Sequence, residues 1–505
     1  MSSEDGRKEV PGLARVRWLY LRGLGLVFCL AFASLLPQLS GLMGQEGLEP
    51  AAAWLEWART QLGPVRYLRL PTLLWLFGAG NGGLWAVGLL GLACGVLLMV
   101  DVAPRWMLLG AWACYLSLTT VSGVFLSYQW DVLLLETAFI SVPLAPGHLR
   151  PSTRVVEPRR GAALLVRFLL FRLMVMSGVV KLASGDPAWH NLTALEFHYW
   201  TQPLPNPLAY FVWQLPAVLH RASVAVMFVI ELVAPFLLFG PRRIRLVAAG
   251  AIAALQVGIF ATGNYGFFNI LTLVLCISAL DDEVLARWRI FQRLSPEPRP
   301  RLPRWSPWNG LFTGFAAVYV VLSLSQDAER VISTPLPRPV QWTMGQVSSL
   351  RSINTYGLFA VMTTERREIV LEGSADGQTW REYLLRWRPG PVDEAPRFVA
   401  PHQPRLDWQM WFASLSRCSD NPWLIRLQAQ LLQGAPAARS FFREDPFPGT
   451  PPRFIRTRFF DYRFTDLSEW RATGAYWKRS ELGPYCPPLT LEGGQLKRAD
   501  LPAGP

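Results

Sequence analysis

Long apolar stretches recur along the first two-thirds of the chain, each close to the length that crosses a bilayer. A soluble chain of 505 residues would interrupt such stretches with charges far more often. The pattern therefore predicts a multi-pass α-helical transmembrane domain. The clearest apolar stretches cover residues 83–100, 106–128, 223–240, 246–265 and 311–324.

Arginines collect in the short polar segments between these stretches, which indicates how the chain is threaded. With residues 1–17 cytoplasmic, about nine spans place the arginine-rich segments 150–160, 242–245 and 287–304 on the cytoplasmic side. The long segment 183–221 contains only one arginine, Arg221, and is expected on the outer side of the membrane. The predicted crossings lie near residues 18–37, 81–101, 106–127, 130–147, 161–182, 222–240, 246–263, 266–280 and 308–325.

The crossing at 130–147 contains two carboxylates and is expected to span fully or to be deeply re-entrant. An odd number of crossings places residues 326–505 in the periplasm or the lumen of the endoplasmic reticulum. The transmembrane domain is then 18–325, with an outside loop at 183–221.

The pattern changes from helical to alternating after the last apolar stretch. Residues 367–373 and 380–387 alternate on either side of an Asp-Gly turn, which predicts a hairpin, and 454–464 alternate again. Residues 406–415 and 422–432 have helical spacing. The pattern favours a mainly β (α+β) extracytoplasmic domain over residues 326–505.

Composition narrows the class of protein. The net charge of +13 is spread over short loops rather than gathered in one basic patch, so no nucleic-acid partner is expected. The sequence has no phosphate-binding loop, nucleophile elbow or zinc-helix motif, so no cofactor or metal is predicted. Only Cys418 and Cys486 lie outside the apolar part, where they are candidates for a disulfide.

The candidate functional residues are the charged residues inside the apolar stretches. Lys181 ends one stretch and Asp186 follows it, while Arg172 lies near mid-membrane and needs a counter-charge. The candidates for that role are Glu136, Asp131 and Glu231. These groups either form interhelical pairs that fix packing, or line a hydrated cavity in which Lys181 or a carboxylate does chemistry.

The outside segment 189–216 is rich in tryptophan, tyrosine and proline. Prolines at 203, 205 and 207 exclude one continuous helix. The segment is predicted either to be an interfacial loop at the level of the lipid head groups or to be a lid or docking surface.

Several unusual strings occur in a fixed order between residues 17 and 492: 129–137, 178–189, 192–193, 197–199, 201–207, 353–357, 404–413 and 487–489. In this order they resemble the lipase maturation factors, multi-pass membrane proteins that assist the folding of secreted lipases. The residues that carry the resemblance, and that are expected to bind clients or act otherwise, are Trp130, Asp131, Glu136, Lys181, Asp186, Trp189, His198, Tyr199, Gln202, Pro203, Pro205, Asn206, Asn354, Tyr356, Gly357, Arg405, Asp407, Trp408 and Trp411.

The resemblance implies a membrane-bound folding factor whose partners are the bilayer and exported clients such as lipases. It would lie in the endoplasmic reticulum membrane of a eukaryote or the inner membrane of a bacterium. Trp200 departs from the acidic residue expected there. The segment 178–182 also resembles vitamin K-dependent carboxylases, in which a lysine at that place is the catalytic base. The alternative hypothesis is therefore a membrane enzyme that uses Lys181, with Asp186, on a lipid or quinone-like substrate.

Overall fold

The computed structural model describes residues 12–298 and 306–499. Its amino-terminal part is a helical bundle, and the parts of the predicted cytoplasmic segments at 1–11 and 299–305 lie outside the described residues. The main bundle helices are α1 (Ala14–Leu35), α2 (Asn81–Met99), α3 (Pro104–Val121), α4 (Gln129–Ser141), α5 (Arg160–Ala183), α6 (Ala217–Leu232), α7 (Arg242–Thr262), α8 (Phe268–Ile277) and α9 (Pro307–Ile332).

The lengths of these helices confirm a multi-pass helical membrane domain but not the count of nine. Within the described residues, six helical segments are long and apolar enough to cross a bilayer. Helix α4 has 13 residues and α8 has 10, which give about 20 Å and 15 Å at 1.5 Å per residue. Helix α3 has 18 residues but is less apolar than those six. The six segments are Ala14–Met43, Asn81–Met99, Arg160–Ala183, Ala217–Leu237, Arg242–Thr262 and Pro307–Ile332.

Glycines allow α1 and α2 to pack closely. A Cβ atom at Gly25 would lie 2.8 Å from the backbone nitrogen of Met99, and one at Gly91 would lie 2.1 Å from the ring of Phe32. Small residues at such crossings bring helix backbones together, which is a main source of packing energy between helices in lipid.

One end of the bundle is closed by carboxylates that bind backbone and arginine groups. Asp282 accepts hydrogen bonds from the first backbone amides of α1, including those of Ala14 and Arg15. Its neighbour Asp281 pairs with Arg242 at 2.7 Å and with Arg245 at 3.2 Å. A short parallel pair of strands, β1 (Arg154–Val156) and β2 (Ser295–Glu297), completes this end.

The carboxyl-terminal part packs on the other end of the bundle and is mostly β. Helix α9 continues to Ile332, beyond the predicted end at 325, and α10 (Arg338–Val347) follows it. The five-stranded sheet has the order β4-β3-β5-β6-β7. Its strands are β3 (Arg366–Ser374), β4 (Arg381–Tyr383), β5 (Phe454–Phe464), β6 (Trp477–Glu492) and β7 (Gln495–Arg498).

Strands β3 and β4 form the antiparallel hairpin that the Asp-Gly signal predicts. Helices α11 (Arg405–Ala413) and α12 (Pro422–Leu432) pack against the sheet, and α13 (Leu467–Thr473) joins β5 to β6. A disulfide links Cys418, just before α12, to Cys486 on β6, with the two Cα atoms 5.5 Å apart.

We expect the disulfide to contribute substantially to the stability of the sheet. It joins cysteines 68 positions apart, and closing a loop of that size lowers the entropy of the unfolded chain enough to stabilise the fold by about 4 kcal/mol. Cys418→Ser should therefore lower the apparent melting temperature of the detergent-purified protein, and Cys486→Ser should lower it equally. Cys29→Ala, in the bundle, is the control. If the double variant were much less stable than either single variant, the loss of stability could not be attributed to the disulfide.

Candidate functional site at the junction of the two parts

A buried ion pair joins the bundle to the carboxyl-terminal part. Asp131 on α4 accepts hydrogen bonds from both terminal nitrogens of Arg405 on α11, at 2.6 Å and 2.8 Å. The hydroxyl of Tyr115 donates to the same carboxylate at 2.5 Å. Both charged side chains are fully enclosed, with 0% and 1% of their surface exposed. A bidentate, hydrogen-bonded geometry of this kind is what a buried pair requires.

Aromatic rings surround this pair. The rings of Tyr128 and Trp130 stack at 4.8 Å, and Trp408 meets Trp130 edge-on at the same distance. The Tyr128 hydroxyl donates to Gln409 on α11. Trp130 and Trp408 therefore exclude water from the junction rather than presenting a surface to a partner.

A second buried network is centred on Arg172 of α5. Its guanidinium contacts Glu136 at 2.9 Å and Asp327 at 2.7 Å, and it donates to the backbone oxygen of Asn354 at 2.6 Å. Asn354 in turn donates to Glu136 at 2.9 Å. Three helices and the chain that leads into the sheet thus meet at one guanidinium.

Two tyrosines complete the shell of Glu136. The hydroxyls of Tyr319 and Tyr356 each donate to its carboxylate at 2.7 Å. Of the three counter-charges that the sequence offers Arg172, only Glu136 pairs with it. Asp327 was missed because the predicted crossing ended two residues before it, whereas α9 continues for two more turns.

Lys181 has its own partner, Glu231 on α6. The ammonium contacts both carboxylate oxygens at 2.9 Å and 3.0 Å and donates to the backbone oxygen of Ser177. Asp186 does not contact this pair. Its carboxylate caps the short helix Pro187–His190 through the amide of Ala188 and accepts from the amide of Met362.

A chain of hydrogen bonds runs beside the lysine. Gln202 donates through its amide nitrogen to two backbone oxygens, so its side-chain oxygen accepts from the hydroxyl of Tyr265 at 2.9 Å. His198 contacts the same hydroxyl through Nε2 at 2.8 Å. Burial, with a smaller contribution from the nearby Lys181 charge, lowers the pKa of His198 to about 4, so the ring is neutral at physiological pH.

These groups line a cavity of about 590 Å³ between α5, α6 and α7. The outside loop and the segment before β3 close it on one side through Trp189, Tyr199 and Phe359. The indole of Trp189 donates to the backbone oxygen of Phe359 at 2.9 Å.

Backbone contacts fix the remaining part of the outside loop. Asn206 caps the short helix Pro207–Trp213 and donates to the backbone oxygen of Ala261. Arg366 of β3 donates to the backbone oxygens of residues 200, 202 and 203, and Trp411 donates to that of residue 201. Pro203 and Pro205 thus belong to a loop that α7, α11 and β3 hold in place.

Gly357 has a purely steric reason to be glycine. It has a φ of +137°, and a Cβ atom there would lie 2.4 Å from the side chain of Val180. Asp407 is a separate case, buried on α11, where its carboxylate accepts from the amide of Trp387 at 2.9 Å. Burial raises the pKa of Asp407 to about 6.

A second cleft, of about 420 Å³, lies between the outside loop and the sheet. Aromatic rings of Phe197, Trp200, Trp213 and Phe464 line it, with Lys478 at its border. Trp200 packs there in a cluster with Trp477 and Tyr210, a position that suits an indole better than an acidic side chain. The sequence signal for this cleft was the aromatic richness of 189–216, which did not reveal its partner strands.

No metal centre is formed by the described residues. His190 and His198, eight positions apart, make unrelated contacts: His190 meets the backbone oxygen of Leu182, whereas His198 meets Tyr265.

The fold and junction define a multi-pass integral membrane protein with a β-rich domain fastened to one end of its bundle. Family comparison agrees in both parts, since residues 15–287 match the lipase maturation factor transmembrane domain and 352–487 match the lipase maturation factor C-terminal domain. The chain belongs to the lipase maturation factor family.

Named relatives cover nearly the whole chain. It is 37% identical to lipase maturation factor 2 of Homo sapiens, over 94% of this chain and 82% of the relative. It is 32% identical to lipase maturation factor 1 of Mus musculus, over 94% and 87% respectively. No solved structure matches it.

Breaking the Asp131–Arg405 pair should weaken the contact between the bundle and the β-rich domain. Asp131→Asn leaves a buried guanidinium without its counter-charge, which costs about 3–5 kcal/mol. We expect a large fall in apparent melting temperature and earlier proteolysis between α9 and β3. The double variant Asp131→Leu with Arg405→Met should recover most of the loss. The control is Arg367→Ala, which removes an exposed pair (47% and 55% exposed) and should change little. A single variant as stable as this control would refute the role of the pair.

Asp407 should make stability depend on pH. Its pKa of about 6 in the fold exceeds the ordinary 3.8, so the folded protein binds more protons than the unfolded chain between these values. The contribution of this group to the free energy of unfolding therefore falls as pH rises from about 4 to about 6, by about 3 kcal/mol in all. Asp407→Asn keeps the acceptor for Trp387 and removes the titration.

Melting temperatures of Asp407→Asn and the parent protein, measured across this pH range, test the expectation. The difference in favour of the variant should grow up to about pH 6 and then stay constant. Glu492→Gln, at an exposed pair, should show no such trend. A pH-independent difference would contradict the raised pKa.

Proposed function

We propose that this protein assists the folding or assembly of exported lipases from within the membrane, with its β-rich domain on the extracytoplasmic side. The observation that carries the proposal is membership of the lipase maturation factor family along both parts of the chain. In a eukaryotic cell the membrane would be that of the endoplasmic reticulum, and the working face would be lumenal.

The direction of the helices supports nine crossings with the amino terminus in the cytoplasm. The helices contact the carboxyl-terminal part with ends that alternate as crossings would: Ser34 near the end of α1 contacts Gln403, Tyr128 just before α4 contacts Gln409, and Val180 near the end of α5 contacts Gly357. The shorter helices α3, α4 and α8 continue this alternation. No side chain of the two shortest, α4 and α8, is exposed, so neither helix faces lipid over its whole length.

Charge and thiol chemistry agree with that orientation. Arg154, Arg242 and Arg245 lie at the end of the bundle closed by Asp281 and Asp282, as the positive-inside bias requires. The disulfide is on the opposite side, where an oxidising compartment would keep it intact.

The aromatic cleft between the outside loop and the sheet is the client surface that we favour. It is open, and it combines apolar rings with charges of both signs. Its two walls are held together by Arg366 of β3, which donates to the backbone oxygen of Trp200, and by the hydrogen bond between Tyr210 and Thr465. Leu215 at its border has 44% of its surface exposed, which makes it available to an unfolded client segment.

An enzymatic use of Lys181 is not favoured. Both oxygens of the Glu231 carboxylate accept hydrogen bonds from Nζ of Lys181, so the group that would have to act as a base is already engaged in a buried pair. We therefore assign no catalytic role to Lys181 or Asp186.

Secretion from cells that lack their own maturation factors tests the proposal. Co-expression with this chain should raise the activity of a secreted lipase per molecule of lipase protein. Leu215→Asp should lower that gain about tenfold, because a carboxylate opposes burial of an apolar client segment. Leu482→Asp, which alters a similarly exposed leucine (53% exposed) on β6 outside the cleft, should preserve the gain.

The outcome separates two kinds of failure. No gain with the parent chain, at normal expression, would reject the maturation role itself. A gain that both aspartate variants retain would keep the role and reject the cleft as its surface. Lys181→Arg should retain the gain, and its loss at normal expression would return Lys181 to consideration as a base.

A further inference from the structure

The cavity beside Lys181 has the form of a ligand site rather than a packing defect. Its volume of about 590 Å³ lies within the range of small-molecule sites, about 300–1,000 Å³. Its walls are mostly apolar and come from α6 and α7, including Val226 and Ile259. Lys181, Glu231 and His198 line one region of the cavity, called its polar end.

The cavity is continuous with the lipid-facing surface of the bundle. Val226 and Leu219 line it, yet they keep 57% and 48% of their surfaces exposed. In a membrane those surfaces meet acyl chains, so an occupant can enter sideways from the bilayer. The occupant is then a membrane-soluble molecule with a long apolar body.

The polar end carries no net charge. Lys181 and Glu231 neutralise each other at 2.9 Å, and the lowered pKa of His198 keeps that ring neutral. Gln256 and Tyr265, which also line the cavity, are uncharged. A charged head group would lose its hydration here without gaining a counter-charge, whereas a neutral polar head would not incur that cost.

The hydrogen bonds of Tyr265 and His198 define which polar group the head group of the ligand must provide. Because Tyr265 donates its only proton to Gln202, the contact between Tyr265 and His198 needs a proton on Nε2 of the imidazole. A neutral imidazole with its proton on Nε2 has a bare acceptor at Nδ1. Among the described residues Nδ1 has no hydrogen-bond donor, so it is open to a ligand hydroxyl.

The roof of this end has an unusual backbone. Phe359 has a φ of +53°, a conformation that bulky residues rarely adopt, and its ring meets His198 edge-on at 4.9 Å. Strain of this kind persists where the surroundings impose it, and it clusters at binding sites. The indole of Trp189 holds this segment through its hydrogen bond to the backbone oxygen of Phe359.

From these contacts we propose that the cavity binds a neutral lipid with a free hydroxyl, of the diacylglycerol class. The hydroxyl donates to Nδ1 of His198, beneath Phe359, and the acyl chains extend along Val226 and Ile259 towards the bilayer. The site goes beyond the proposed maturation role and does not depend on it. It also places a bilayer component in contact with a residue of the segment that leads into the β-rich domain.

Photolabelling of the full-length protein in nanodiscs tests the proposal. The probe is a diacylglycerol with a diazirine in one acyl chain, compared with a phosphatidic acid that carries the same chains. The diacylglycerol should label α6 and α7 in the parent protein, and the anionic probe should label them about tenfold less. Equal labelling by both probes, or stronger labelling by phosphatidic acid, would overturn the assignment to a neutral lipid.

Two matched pairs of variants locate the binding. A Cβ atom at Gly258 or at Gly250 of α7 meets no neighbour within 4 Å, but only Gly258 lines the cavity. Gly258→Phe should reduce labelling about tenfold, and Gly250→Phe should leave it unchanged. On α6, Val226→Trp and Val229→Trp form the second pair, since both valines are more than half exposed and only Val226 lines the cavity.

If the variants of one pair fail to fold, the other pair alone decides whether the probe binds in the cavity. Elution volume and melting temperature identify the variants that retain the fold. Labelling that is equal in the cavity variant and its folded control would show general contact with lipid and reject the site. His198→Phe, which removes Nδ1 and keeps an aromatic ring under Phe359, should abolish the preference for the hydroxyl lipid over the same lipid with its hydroxyl methylated.

Discussion

A charge enclosed by protein and lipid needs a counter-charge, and most features of this molecule follow from that need. Arg172 and Arg405 are almost fully buried, and each is met by carboxylates from elements distant in the chain. Removing one partner would cost more than the pair contributes, because a bare charge would remain in a medium of low polarity. The Arg172 network therefore joins α4, α5 and α9 to the segment at Asn354, and the Asp131–Arg405 pair holds α4 against α11, so the β-rich domain is attached to the bundle at two places.

The attachment of the β-rich domain to the bundle determines which side chains remain at the outer surface. The strings that carry the family resemblance at 129–137, 353–357 and 404–413 meet in the interior of the junction, so they attach the β-rich domain to the bundle. The outside loop is held by Arg366 and Trp411 through its backbone oxygens. Its aromatic side chains are left to form the cleft on one side and the roof of the cavity on the other. One loop thereby connects the membrane, the sheet and the proposed client surface.

Lys181 shows how position alone can mislead. From the sequence, a lysine at the end of an apolar stretch was expected either to form an interhelical pair or to act as a chemical base. In the fold its ammonium turns to Glu231, fifty positions away, and neither reaches water nor stands unpaired. Because Lys181 and Glu231 pair, they leave the cavity without net charge. This property depends on side chains from two helices, so the sequence of neither helix alone could predict it.

The sequence by itself determined the elements that depend on local periodicity. Apolar length gave the membrane helices, alternation gave β3 and β5, and the Asp-Gly turn gave the hairpin, since each is decided by neighbours within one turn or strand. The family followed from strings whose order is linear. Only the tertiary structure decided that Asp327 pairs with Arg172, that Asp186 caps a helix instead of serving Lys181, and that a cavity and a cleft flank the outside loop. Those outcomes depend on which distant side chains come within 3 Å of each other, and spacing along the chain carries no information about that distance.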